Sequence, residues 1–366
     1  MSRGNGSIGM LQLAFLFIGS TGVLNHVILI PALLDAAKRD SWIAVIFASV
    51  LFLGWMTLIY GLMKRTGRED LIQLISHNVG KPAGWFLSGL IFLSALLKGY
   101  VGLKDTSGWL SSIVLPETPY LPIVLLLVVL CWLAACWGIQ ALSITSGILL
   151  PFVMLFGLFV MSGNFPKKDY SLLFPLFQQG PEPVLEGMMF AGVGFSELIL
   201  ILALQHHLKK PVRLFSLWFL AIFITMLTLG PLTGSIAEFG PEAASHQRYP
   251  AFEQWRILTL GGFVTHVDFL SIYQWLTGTF IRVSLSLYIM GEALRIPKKK
   301  RWAGLAGLGI LLCALSFYPR SDIVFWSMLE RIVLPLSLVV SLTLGLAFTF
   351  FSLLATRKNT KRTISS

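Results

Sequence analysis

Residues Pro183-Val-Leu-Glu-Gly-Met-Met-Phe-Ala-Gly-Val-Gly-Phe-Ser-Glu-Leu-Ile-Leu-Ile-Leu-Ala-Leu-Gln205 make an apolar run of helical length that carries two central glycines and a carboxylate. About 20 apolar residues cross the hydrocarbon core of a bilayer, so Gly192 and Gly194 fall near the midplane and Glu197 just beyond them. Glycine weakens a helix. A backbone group freed in hydrocarbon costs several kcal/mol unless protein or ligand satisfies it, so an interrupted helix at that depth is expected to line a cavity. A carboxylate there is expensive and by default marks a functional site. The competing reading is a glycine pair for close helix packing, with Glu197 tied to a neighbouring base.

Composition supports the membrane reading. The 366 residues are 55% hydrophobic and 12% charged, with a mean hydropathy of +0.78, whereas soluble domains are about 25% charged. The net charge of +11 sits in short clusters between apolar runs. That is the pattern of membrane-flanking loops and excludes a continuous nucleic-acid-binding stripe. Cys131, Cys136 and Cys313 lie inside apolar runs and read as small core residues. No spacing supports a metal site, a phosphate loop or a nucleophile with its base, so neither a cofactor nor an enzymatic activity is expected.

Hydropathy marks ten spans, at 10–34, 41–63, 84–114, 120–138, 142–162, 184–207, 212–235, 264–292, 302–319 and 331–355, and leaves no room for a separate domain. In the connections, 17 Lys and Arg fall on the side of the N-terminus and 8 on the other. This places both termini in the cytoplasm.

The first span repeats the features of the sixth. Gly19-Ser20-Thr21-Gly22 and then Asn25-His26 and Pro31 interrupt it at depth. Interrupted segments at matching positions of two five-helix halves point to a transporter-type site built from inverted repeats. The ligand is expected to meet Gly19, Thr21, Gly22, Asn25 and His26 on the first span and Gly192, Gly194 and Phe195 on the sixth. Close packing is the plainer role of Gly19 and Gly22, and a satisfied buried imidazole that of His26.

Other charges are read by depth. Arg282, in the eighth span, lies at a depth like that of Glu197, so the two are expected to form a charge pair or gate. Lys98 is expected to snorkel outward along the third span. Lys104 and Asp105 read as a wet helix end, and His266 and Asp268 as a solvated one. The proline-rich connection 164–183 is expected to lie along the outer interface, over the entrance to the site. Tyr249-Pro-Ala-Phe-Glu-Gln-Trp-Arg-Ile-Leu258 reads as a short amphipathic helix on the membrane surface.

Five pieces, in this order and spacing, carry a resemblance. They are Ile30-Pro-Ala-Leu-Leu-Asp-Ala-Ala-Lys-Arg-Asp-Ser-Trp42, Leu115-Pro-Glu-Thr-Pro119, Gly194-Phe-Ser-Glu197, Arg248-Tyr-Pro-Ala-Phe252 and Phe280-Ile-Arg-Val-Ser-Leu-Ser-Leu-Tyr288. Over nearly its whole length the chain resembles the endospore germination permeases. These are the membrane B subunits of spore germinant receptors, in the amino acid–polyamine–organocation transporter superfamily. The resemblance implies an all-α integral membrane fold of ten transmembrane helices, a leucine-transporter-like 5+5 inverted repeat with helices 1 and 6 discontinuous. It also implies residence in the inner membrane of the spore, A and C subunits as partners, and sensing of a small nutrient, commonly an amino acid, that starts germination. Many relatives carry Gly-Thr or Gly-Ser where this chain has Leu24-Asn25-His26, and Lys where it has Arg282, a planar fork in place of a point charge.

Two further readings stand beside the sensor. One is a proton-coupled amino acid transporter of the same fold, with Glu197 carrying the proton. The other is a structural subunit with no ligand of its own.

Overall fold

Apolar runs make the helices of this chain, and a few residues with special backbone geometry stop them. The computed structural model describes residues 7–178, 180–259 and 266–364, with side chains to Ala355. Helix α1 (Met10–Val23) passes through a π turn (Leu24–Ile28) into α2 (Leu29–Ala37), and α3 (Ser41–Thr66) follows a 3₁₀ turn at Lys38–Asp40. Lys38, with φ of 45°, turns the chain, a conformation uncommon outside glycine. A short α4 (Leu71–Asn78) is capped by Asp70, whose Oδ1 accepts from Ile72 N and Gln73 N. Then α5 (Lys81–Trp109) ends in a second π turn (Leu110–Val114), and α6 (Tyr120–Trp137) and α7 (Ile139–Gly163) are separated by Gly138 at φ of 94°.

Helix α8 (Glu182–Ser196) tightens into a 3₁₀ turn (Glu197–Leu200), a single α turn α9 (Ile201–Leu204) and another 3₁₀ turn (Gln205–His207). Helix α10 (Leu214–Phe239) is followed by two short helices, α11 (Pro241–Ser245) and α12 (Pro250–Arg256). After them come α13 (Phe269–Ala293), α14 (Arg301–Ser316), α15 (Asp322–Met328), a third π turn (Leu329–Val333) and α16 (Leu334–Ile364).

Among the described residues, seven helical stretches are long and apolar enough to cross a membrane. The first, Met10–Thr66, is 57 residues and covers two of the ten expected spans. Two expected spans are not among the seven: α14 has only 16 residues, and Gln274, Arg282, Glu292 and five Ser or Thr lower the hydropathy of α13. The expected start of the eighth span at 264 lies outside the described residues.

Small residues let the helices close on one another. A Cβ on Gly19 of α1 would lie 2.6 Å from Ile281 Cδ1 of α13, and one on Gly187 of α8 2.8 Å from the Ala44 Cβ of α3. Lipid tails are as apolar as leucine, so such close contact, with buried polar pairs, is what favours helix association in a bilayer. Helix α13 is surrounded by α1, α5, α6, α7 and α14, and α8 by α2, α3 and α16.

Three expectations change here. The first and sixth spans are irregular, but they are not unwound: the first widens into a π turn and the sixth narrows into a 3₁₀ turn. Such local adjustments re-satisfy the backbone groups that a true gap would expose. Helix α12 is not a surface anchor, because Pro250, Ala251, Phe252, Gln254 and Trp255 are buried and Phe252 meets Trp109 edge to face. Lys104 and Asp105 are not a wet end either. Both are buried, Asp105 accepts from Arg248 Nη2 at 2.6 Å, and Lys104 Nζ lies over the Tyr120 ring.

Candidate functional site

The densest group of buried charge lies where α1, α5, α8 and α13 meet. Lys98, Glu197 and Arg282 are 2%, 5% and 1% exposed. Arg282 forks onto Glu197, with Nη1 2.9 Å from Oε2 and Nη2 2.6 Å from Oε1. Lys98 Nζ approaches Oε2 to 3.2 Å, with the Phe17 ring 5.5 Å away on another side. The expectation that Lys98 snorkels is therefore wrong: two cations meet one carboxylate, and the ammonium is drawn inward to a partner.

The backbone prepares this geometry. At the entry to the π turn the Leu24 N–H donates to Thr21 O. The regular i−4 acceptor of that N–H, Ser20 O, is thereby released, and Arg282 Nη1 donates to it at 2.9 Å. Arg282 Nε donates to Lys98 O at 3.0 Å. Gly102 of α5 makes room, since a Cβ there would lie 2.8 Å from Arg282 Cδ. The guanidinium thus reaches α1, α5 and the 3₁₀ turn after α8 at once, which the point charge of a lysine cannot do.

One turn before Glu197, Gly194 leaves a notch that the side-chain amide of Asn25 occupies. Asn25 is 1% exposed, and neither its Oδ1 nor its Nδ2 has a hydrogen-bond partner. Buried polar groups are almost always paired, so an unpaired amide in the irregular turn of the first span is an exception that calls for a cause.

The other expected ligand residues do not converge on this point. Gly19 packs on Ile281, Gly22 on Leu227 and Gly192 on Leu338. Thr21 donates to Phe17 O at 2.6 Å, and Phe195 stacks on Phe52 with ring centroids 4.4 Å apart. His26 has a separate task. Pro231 has no N–H to give to Leu227 O, four residues earlier in α10, and His26 Nδ1 lies 3.1 Å from that carbonyl. A carbonyl can only accept, so the proton sits on Nδ1. The histidine closes the gap that the proline opens.

A second feature escaped the sequence reading. At the far end of α5 a cavity of about 260 Å³ is lined by Trp109, Ser112, Gln247, Arg248, Tyr249, Glu253 and Asp322. Arg248 is its hub: Nη2 binds Asp105, Nε lies 3.7 Å from Asp322 Oδ2, and the guanidinium packs between the Tyr249 and Trp326 rings. Burial, reinforced by the Asp105 charge, raises the Tyr249 hydroxyl above the ordinary tyrosine range, so it stays protonated. The motif Arg248-Tyr-Pro-Ala-Phe252 signals the region, but its partners lie about 140 residues earlier and 70 later.

The family model described as spore germination protein matches residues 8–324. The chain belongs to that family. Spore germination protein XB of Bacillus anthracis is 41% identical over 334 residues, which cover 91% of this chain and 94% of that protein. Spore germination protein KB of Bacillus subtilis (strain 168) is 25% identical over 299 residues, 76% and 78% of the two chains. Among solved structures, MhsT in complex with L-phenylalanine superposes with a TM-score of 0.62 over 92% of this chain and 89% of that one. At 13% identity that likeness concerns the fold alone. The chain is thus an integral, multi-pass membrane protein whose fold is like that of MhsT.

Proposed function

We propose that this chain is the nutrient-sensing membrane subunit of a spore germinant receptor. A small ligand, an amino acid in the simplest case, binds at the crossing of the first and sixth spans, and A and C subunits read the resulting change. The fold is then two inverted five-helix repeats in the inner membrane of the spore, with both termini in the cytoplasm.

The observation that carries this reading is the unpaired Asn25 amide in the Gly194 notch, one turn from Glu197. The buried group Lys98, Glu197 and Arg282 bears two positive charges and one negative, so it favours a ligand that brings a carboxylate. Side chains fill the crossing, so a ligand must displace Asn25 to enter. That displacement is the differential interaction that any ligand-driven shift requires.

The transporter reading, in which Glu197 carries a proton, has less support, because both carboxylate oxygens are already held by cations. Nutrient dose–response of spores carrying Asn25→Ala at normal receptor levels tests the sensor. A shift of the half-maximal concentration by about tenfold, about 1.4 kcal/mol, is expected. A curve identical to wild type contradicts it. Liposomes holding the purified protein separate the readings further: sustained accumulation of labelled amino acid belongs to a transporter, not to a pure sensor.

A further inference from the structure

Two histidines and a glutamate converge on the face that holds the start of α1, a place where the sequence shows no metal-ligand spacing. The 3₁₀ turn Gln205–His207 ends the sixth span, and Ile8 pairs with Leu208 beside it, Ile8 N donating to His207 O at 2.8 Å. Across from this turn, α13 presents Glu292. One ligand atom each of His206, His207 and Glu292 lie within 4.8 Å of one another. His206 Nε2 is 3.8 Å from Glu292 Oε2.

Surrounding groups hold these side chains in place. Arg301 Nη1 lies 3.5 Å from the other carboxylate oxygen, Oε1, which leaves Oε2 directed at the histidines. The Tyr288 hydroxyl lies 2.9 Å from His207 Nε2 and fixes that ring. A cavity of about 10 Å³ adjoins His206 and Glu292 and is also lined by Asp70 and Leu204. That is room for about one water-sized particle.

We propose that His206, His207 and Glu292 bind one divalent transition-metal ion. Two imidazoles and one carboxylate suit borderline ions such as Zn²⁺, with the adjoining cavity supplying a water as the remaining ligand. Outer groups that orient ligating side chains, as Arg301 and Tyr288 do here, are a regular part of such sites. The ion clamps the end of the sixth span to α13. Glu292 follows Arg282 on α13 by ten residues, about 15 Å along the helix, so the clamp joins the same two elements that hold the buried charge pair. It favours the packing in which they stay together.

Zn²⁺ and Co²⁺ titrations of the purified full-length protein, stripped with a chelator, test this inference. One equivalent of Zn²⁺ is expected to bind in competition with a chromophoric chelator and to raise the melting temperature, and Co²⁺ to give a visible ligand-field band. His206→Ala, His207→Ala and Glu292→Gln are each expected to weaken binding by at least about tenfold. His246→Ala, at an exposed site elsewhere, is expected to bind as wild type. Where an alanine variant does not purify as a monodisperse species, His206→Asn takes its place. Wild type that takes up no more ion than a His206→Ala/Glu292→Gln double variant overturns the proposal, as does equal loss in His246→Ala.

Discussion

The side-chain amide of Asn25, in the π turn of the first span, sits in the space that Gly194 leaves in the last turn of α8 by having no Cβ, so a polar group fills the contact between the first and sixth spans there. A methyl at 194 would collide with Asn25 and come within 2.9 Å of Leu29 Cδ1. Gly194→Ala is therefore expected to cost about 1–3 kcal/mol, as overpacking does, and to shift the nutrient dose–response. Thermal unfolding in detergent and germination assays read the two effects. Wild-type values in both would show that the contact is not tight.

Glu197 and Arg282 are both nearly sealed from solvent, so removing Glu197 strands two cations and removing Arg282 leaves the carboxylate only Lys98. Glu197→Gln and Arg282→Gln are each expected to destabilise by about 3–5 kcal/mol. The double variant is expected to lose clearly less than the sum, and a double-mutant cycle from denaturation measures the coupling. Strict additivity would mean that the fork contributes nothing.

Lys98 supplies the surplus positive charge of that cluster. Lys98→Met is expected to raise the half-maximal concentration of a carboxylate-bearing nutrient by about tenfold or more, about 1.4 kcal/mol. A lysine that merely snorkelled to the surface would leave the dose–response unmoved.

His26 and Pro231 form a compensating pair between the π turn of the first span and α10. His26→Ala leaves Leu227 O without a donor and is expected to cost about 1–3 kcal/mol. Pro231→Ala restores an N–H four residues along and is expected to recover much of that loss. Melting temperatures of the two single variants and the double variant decide it: no recovery would assign His26 another role.

Helix content and the meeting of Glu197 with Arg282 were legible in the sequence because charge inside an apolar run has few places to go. Four things were not. Glycines at 192 and 194 mark a weak helix, but they do not say whether it opens, widens or tightens; packing against Asn25 and Leu338 decides. The long side chain of Lys98 can reach in either direction, and only the position of Glu197 on another helix selects inward. The amphipathic pattern of α12 is the same whether its apolar side meets lipid or, as here, Trp109. The cavity around Arg248 depends on residues far apart in the chain, a relation no local pattern encodes.

The most direct measurement is ligand-induced thermal stabilisation of the purified protein across amino acids, sugars and nucleosides, alongside Asn25→Ala. Binding to the folded state alone raises apparent stability by mass action. A rise confined to one or a few carboxylate-bearing compounds, and lost or greatly reduced in Asn25→Ala, is the expected result. No stabilisation by any compound, or equal stabilisation of both proteins, would contradict a ligand site at the crossing of the first and sixth spans.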